Sequence, residues 1–219
     1  SVKPGMNKGW FGNADVAAGT EDRYSGKVML NRFIGENQFT VIGSMNNVND
    51  NGYPGGGGGF RWGGQNGLTS IKMGGFNFST QSEKLETGGS VNYNYKDADI
   101  ISKQASETFV SSATSSFKNA QNANRNKTTS LTADFRIEWK PDTMTTVIFR
   151  PRLTYGKNDN RSATNSFTFS QDPEHTTDEI LSAADNLSSL IPEENIVNTI
   201  ARNSLQKGDN FNVGGSAMV

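Results

Sequence analysis

From Leu131 to Trp139 the chain alternates without a break. Leu131, Ala133, Phe135, Ile137 and Trp139 fall on one side, and Thr132, Asp134, Arg136 and Glu138 on the other. Side chains of a strand point alternately to its two faces, so this pattern predicts a strand with one apolar face. Lys140-Pro141-Asp142-Thr143 reads as a tight turn, with Pro141 presetting φ at its second position. The chain then returns through Val147, Phe149, Pro151, Leu153 and Tyr155 on one face, with Arg150, Arg152 and Thr154 on the other. A hairpin apolar on one side only is the unit from which the rest of the fold is read.

The same reading gives strands at 10–18, 24–33, 38–47, 68–80, 84–95, 128–139, 144–156 and 211–219. Their connections differ in kind. Those at 35–37, 81–83 and 140–143 are tight turns, 20–23 is short, and 48–67, 98–127 and 157–209 are long loops. Short turns alternating with long loops fit an up-and-down meander forming part of a large transmembrane β-barrel, with the tight turns on the periplasmic side. The expected fold is all-β, a single partial barrel domain over 1–219. A short helical insertion is expected within about 176–206. There Thr176 and Glu179 form a capping box, Ile180, Ala184, Leu187 and Ile191 recur at helical spacing, and Ile196, Val197, Ile200 and Ala201 suggest a second helix. The insertion reads first as a small amphipathic pair packing over the loops, and second as a lid over a ligand vestibule.

Composition agrees. Hydrophobic residues make up 33% of the chain, yet aromatics reach 10%, Gly numbers 24 and the net charge is −1. Disordered chains combine few aromatics with high net charge, and nucleic-acid binders carry a basic footprint, so neither class fits. There is no cysteine, which excludes disulfides and thiolate chemistry. No apolar run approaches the roughly 20 residues of a membrane helix, but a barrel strand needs only about 9–11 alternating ones.

Candidate site residues fall into two groups. Trp10, Phe33, Phe39 and Trp139 lie at the predicted periplasmic strand ends, and Tyr24, Tyr93, Tyr95 and Tyr155 at the outer ends, as two interface girdles would. Tyr24 and Phe33 have opposite parity, so they share a face only if a bulge separates them. Tyr53, Phe60, Arg61 and Trp62 lie in the loop that holds Gly55–Gly59 and are candidates for ligand contact. That glycine run lacks the Gly-Lys-Ser/Thr ending of a phosphate-cradling loop and sits between strands. His175 is the only histidine, so neither a histidine-based metal site nor a histidine-assisted triad can be assembled. No enzyme, cofactor or metal is expected. Arg136, Arg150 and Arg152, with Asp134 and Glu138, are expected as a cross-strand ionic ladder on the polar face.

Several short motifs occur in order: Lys8-Gly-Trp-Phe-Gly-Asn13, Gly19-Thr-Glu-Asp-Arg-Tyr24, Leu30-Asn-Arg-Phe33, Gln38-Phe-Thr-Val41 and Asn46-Asn-Val-Asn49. Gly75-Phe-Asn-Phe78, Ile137-Glu-Trp-Lys-Pro-Asp142 and Phe149-Arg-Pro151 follow. Over nearly its whole length the chain resembles the first barrel strands of the outer-membrane family of TonB-dependent-receptor-like proteins. The resemblance implies a location in the Gram-negative outer membrane. It also implies a chain that starts just after a plug domain and stops near strand eight of about 22. The implied partners are lipid, the plug and remaining barrel strands of the parent chain, TonB-type energy coupling through the missing part, and an unknown small ligand. A partial barrel has unpaired edges, so self-association is also expected. The competing reading is a secreted or surface β-sandwich that binds carbohydrate or protein. The two differ in where the apolar faces point: a sandwich buries them between sheets, whereas a barrel turns them outward as a belt.

Overall fold

The computed structural model describes residues 8–49, 67–111 and 114–219. It holds one eight-stranded antiparallel sheet whose spatial order is its sequence order. The strands are β1 (Lys8–Ala18), β2 (Tyr24–Ile34), β3 (Asn37–Asn46), β4 (Leu68–Gln81), β5 (Leu85–Ser111), β6 (Thr114–Trp139), β7 (Val147–Phe169) and β8 (Ile196–Met218). Between β7 and β8 lie a helix, α1 (Thr177–Ser182), and single 3-10 turns at Leu187–Ser189 and Glu193–Asn195.

The all-β meander expected from alternation is therefore present, but two of the expected long loops are corrected. Residues 98–127 are strand on both sides of 112–113, and the span 157–209 contracts to 170–195 as β7 runs on to Phe169 and β8 starts at Ile196. These extensions are rich in Ser, Thr, Asn and charged residues, and their scattered apolar residues give no sustained period-2 signal; ladder pairing with neighbours holds them extended. For the same reason Ile196, Val197, Ile200 and Ala201 open β8 and form no second helix. The helical content expected over 176–206 reduces to the six-residue α1 and the two short turns.

Turn chemistry sets the other boundaries. Gly35 takes φ +64 in the two-residue link from β2 to β3, a hairpin turn with glycine at its left-handed position. The β6–β7 turn is wider than expected and runs over 140–146. There the Asp142 carboxylate accepts hydrogen bonds from the backbone N–H groups of Met144 and Thr145, both at 2.8 Å, which keeps them out of the ladder. Asn47, just past β3, closes the β1–β2 loop. Its side-chain oxygen accepts from the Tyr24 N–H at 2.8 Å, its amide donates to the Asp22 carbonyl at 2.8 Å, and its own carbonyl accepts from Arg23 at 2.8 Å.

The chain divides into two compact units. Unit one contains β1–β4 and the stretches up to Asp97, Lys127–Asp159 and Lys207–Val219; unit two contains Ala98–Asn126 and Asn160–Gln206. Unit two holds a conventional core in which Phe167 and Phe169 of β7 pack with Ile180 of α1, Leu187 and Ile191. Thr176 caps α1 in a full capping box with Glu179. Apolar side chains of the segment between β7 and β8 pack against Phe117, Phe167 and Phe169, but the second helix expected there is absent from it.

Candidate lipid-facing surface and polar wall

The register of β1–β4 fixes which side chains share a face. Trp10, Arg32, Phe39 and Phe78 form one cross-strand row; Gly12, Leu30, Val41 and Phe76 form the next on the same face; Ala14, Val28, Gly43 and Gly74 follow, then Val16, Gly26, Met45 and Lys72. Apart from Arg32 and Lys72 these rows are uncharged, and apolar side chains dominate them. The opposite face carries Asn31, Thr40 and Asn77 in one row and Lys27, Ser44 and Met73 in another.

Burial runs against the usual order. On the apolar face Val16 is 88% exposed and Trp10 61%, and Val28, Leu30, Val41, Met45 and Phe76 are exposed as well. On the polar face Asn46 is 0% and Thr69 1% exposed, with Asn31, Ser44 and Ile71 also buried. The polar groups there are partnered: the Thr40 hydroxyl donates to Asn31 at 2.6 Å, and the Thr69 N–H donates to the Asn49 side chain at 2.8 Å. A single exposed apolar residue is ordinary; here several share one sheet face.

The apolar face continues through unit one. Phe76 and Phe78 lie 6.0 Å apart, and the Phe135 ring sits 6.2 Å from Phe78. Gly89 lies beneath that ring: a Cβ there would meet the Phe135 ring at 2.4 Å. Leu85 to Tyr95, Leu131 to Trp139 and Val147 to Tyr155 give apolar-face runs of about 9–11 residues, the height of a tilted strand crossing hydrocarbon. In β5–β8 these runs stop at charge. Asp97 pairs with Lys127 at 3.7 Å and Asp159 with Lys207 at 3.7 Å. In each pair the lysine is the more exposed partner.

The aromatic candidates divide. Trp10 and Trp139 are exposed, and the Arg32 guanidinium lies 4.7 Å over the Trp10 ring. Phe39 shares the Trp10 row. Tyr24 and Tyr93 are exposed, and Lys72 lies 5.9 Å over the ring of Tyr95, whose hydroxyl reaches Asp97 at 3.4 Å. Tyr155 lies within β7, half-buried. Phe33 does not belong with them. The β1–β2 register is unbroken from Lys8↔Ile34 to Ala18↔Tyr24, so no bulge shifts parity, and Phe33 stacks on Phe11 at 5.5 Å on the polar face. Tyr53, Phe60, Arg61 and Trp62 lie outside the described residues.

The expected ionic ladder is partly cross-strand. Asp134 accepts from Arg152 Nε at 3.2 Å between β6 and β7. Arg136 instead pairs within its own strand with Glu138, at 2.6 Å, and Lys140 reaches the same carboxylate at 2.9 Å. The rim pairs Asp97–Lys127 and Asp159–Lys207 were not legible, because their residues fell at the edges of presumed loops. Asp97 and Lys127 are equally far from position 112, a symmetry that antiparallel pairing of β5 with β6 leaves in the sequence.

Other groups are structural. Glu179 accepts from the Thr176 backbone N–H and hydroxyl, which hold its carboxyl below the usual range, and His175 lies 3.7 Å away. Among the described residues no group of acidic or histidine side chains could hold a metal ion, and no helix is long and apolar enough to cross a membrane. A depression of about 420 Å³ in unit two is lined by Asp99, Arg125, Arg161, Asn203 and Leu205. Comparison with known protein families, with curated proteins and with solved structures returns no match.

Proposed function

We propose that the chain is part of an outer-membrane β-barrel of the receptor or transporter type, with unit one seated in lipid and with ligand binding and energised uptake as the role of the parent protein. One observation carries this reading: in β2–β4 the exposed apolar side chains Val28, Leu30, Val41, Met45 and Phe76 share one face, while the buried polar ones, Asn31, Ser44, Asn46 and Thr69, lie on the other. Hydrocarbon rewards that arrangement and water penalises it. The height of the apolar runs, with tryptophan near one end and tyrosine and lysine–aspartate pairs near the other, supports it further. A β-sandwich would need a second sheet over the apolar face, and the described strands form one sheet. Partnership with a plug, further strands and an energy-coupling protein belongs to the same proposal and rests on the resemblance alone.

The test is depth-resolved fluorescence. The chain is folded into vesicles whose acyl chains carry bromine at set depths, with Trp62→Phe leaving Trp10 and Trp139 as reporters. Quenching strongest at shallow positions is the expected result. A chain that stays monomeric in plain buffer, with both tryptophans unquenched, would sink the membrane reading.

A further inference from the structure

We propose that the polar face of β6–β8 in unit one binds a small oxyanion, a phosphate- or carboxylate-bearing solute, through Arg150 with Arg136 and Arg152. An ion pair between Asp134 and Arg152 joins β6 and β7, antiparallel neighbours in the sheet. Arg136 and Arg150 stand equally far from the strand ends at Trp139 and Val147, as Asp134 and Arg152 do, and all four line one depression. Like charges in that position repel. Glu138 relieves Arg136 at 2.6 Å, but Lys140 shares that carboxylate at 2.9 Å. Arg150 is exposed and has no hydrogen bond or ion pair among the described residues. An anion placed between the two guanidiniums turns the repulsion into attraction.

The surroundings leave room for one. Arg150 and Arg152 line two adjoining depressions, of about 440 Å³ towards β5 and about 510 Å³ towards β8. Glycine at 88, 214 and 215 keeps bulk away from the guanidiniums, while Thr154, Asn212 and Ser216 bring neutral donors. The linings hold three guanidiniums against the one carboxylate of Asp134. A guanidinium has five N–H donors in a planar fork, so an arginine engaged through Nε keeps others for a bidentate contact with an oxyanion. The site depends on the geometry of this face and not on the membrane reading.

The test uses the full chain folded in nonionic detergent and titrated with inorganic phosphate and with citrate at fixed ionic strength. Calorimetry should show saturable binding of one anion per chain, and thermal unfolding should shift upward with anion concentration. Arg150→Gln should weaken binding by about tenfold or more and lose the anion-dependent shift. Without anion it should unfold at the parent's temperature or above, because the like-charge pair is gone. Lys157→Gln, on the same strand outside the site, should bind as the parent does. Non-saturating titrations, equal binding by Arg150→Gln, or equal losses in both variants would overturn the proposal. So would an Arg150→Gln chain less stable than the parent without anion, which would make Arg150 a structural tie. Tryptophan quenching in brominated vesicles is indifferent to all of these outcomes, so the two proposals fail separately.

Discussion

Unit two and the β2–β4 part of unit one solve the burial problem in opposite ways. In unit two Phe169 and Ile180 are 0% exposed and pack in one apolar cluster, although Phe109 and Leu205 of the same unit are exposed. In unit one the fully buried side chains are Asn46 and Thr69, and the exposed ones include Val16, Leu30 and Val41. Both regions belong to one sheet built from the same strand geometry. What separates them is what each buries: unit two closes an apolar cluster with α1 and the turns after it, whereas the most deeply buried side chains of β2–β4 include Asn46 and Thr69.

That contrast can be broken by substitution. Phe169→Ala should cost most, about 3–5 kcal/mol, because it opens a cavity in the apolar core of unit two; equilibrium denaturation followed by near-ultraviolet signals measures it. Val41→Arg comes next. In lipid an arginine at mid-height costs about 2–4 kcal/mol, whereas at a water-exposed site it falls within about ±0.5 kcal/mol, so refolding yields in vesicles and in buffer distinguish the two environments. Gly89→Val should cost about 1–3 kcal/mol by displacing the Phe135 ring, read as loss of folded fraction in detergent. Thr176→Ala should remove about 1 kcal/mol from unit two alone, visible as faster local amide exchange in α1.

The smallest effect is a pH dependence. Backbone hydrogen bonds from Met144, with the side-chain bond from Thr145 next, hold the Asp142 carboxyl below its ordinary value. A depressed carboxylate contributes stability that is complete above its unfolded pKa, about 3.9, and is lost as pH falls through the lower folded value. The β6–β7 turn should therefore loosen only under strong acid, and Asp142→Asn should flatten that dependence in an acid titration of amide exchange around residues 144–145.

Sequence reading reached the hairpin around 140–146 and the meander because Leu131–Trp139 and Val147–Tyr155 alternate cleanly; one wet face and one apolar face leave a period that can be counted. It failed over 98–127 and 157–209 for the converse reason. Stretches such as Ser115-Ser-Phe-Lys-Asn-Ala-Gln-Asn122 are held extended by neighbouring strands and not by their own pattern. Ile196 and Ile200 were misassigned to a helix because spacings of three and four also occur by chance in a strand. Phe33 is expected in the girdle on its aromatic character although its parity opposes that of Tyr24, and the unbroken β1–β2 register leaves it on the other face. On the polar wall the arginines are legible in the sequence, but that Asp134, Arg136, Arg150 and Arg152 line one depression depends on how β6 and β7 fold back on each other.

The sequential strand order has a kinetic consequence. Every strand pairs with its neighbours in the chain, so no pairing requires a distant segment to arrive first. Closing a short loop costs little entropy, which makes the two-residue link at Gly35 an inexpensive place to start and the 170–195 connection between β7 and β8 a more costly one. Assembly can then spread from any finished hairpin to the next strand in line. A defect at one turn delays the strands beyond it and leaves those already zipped intact.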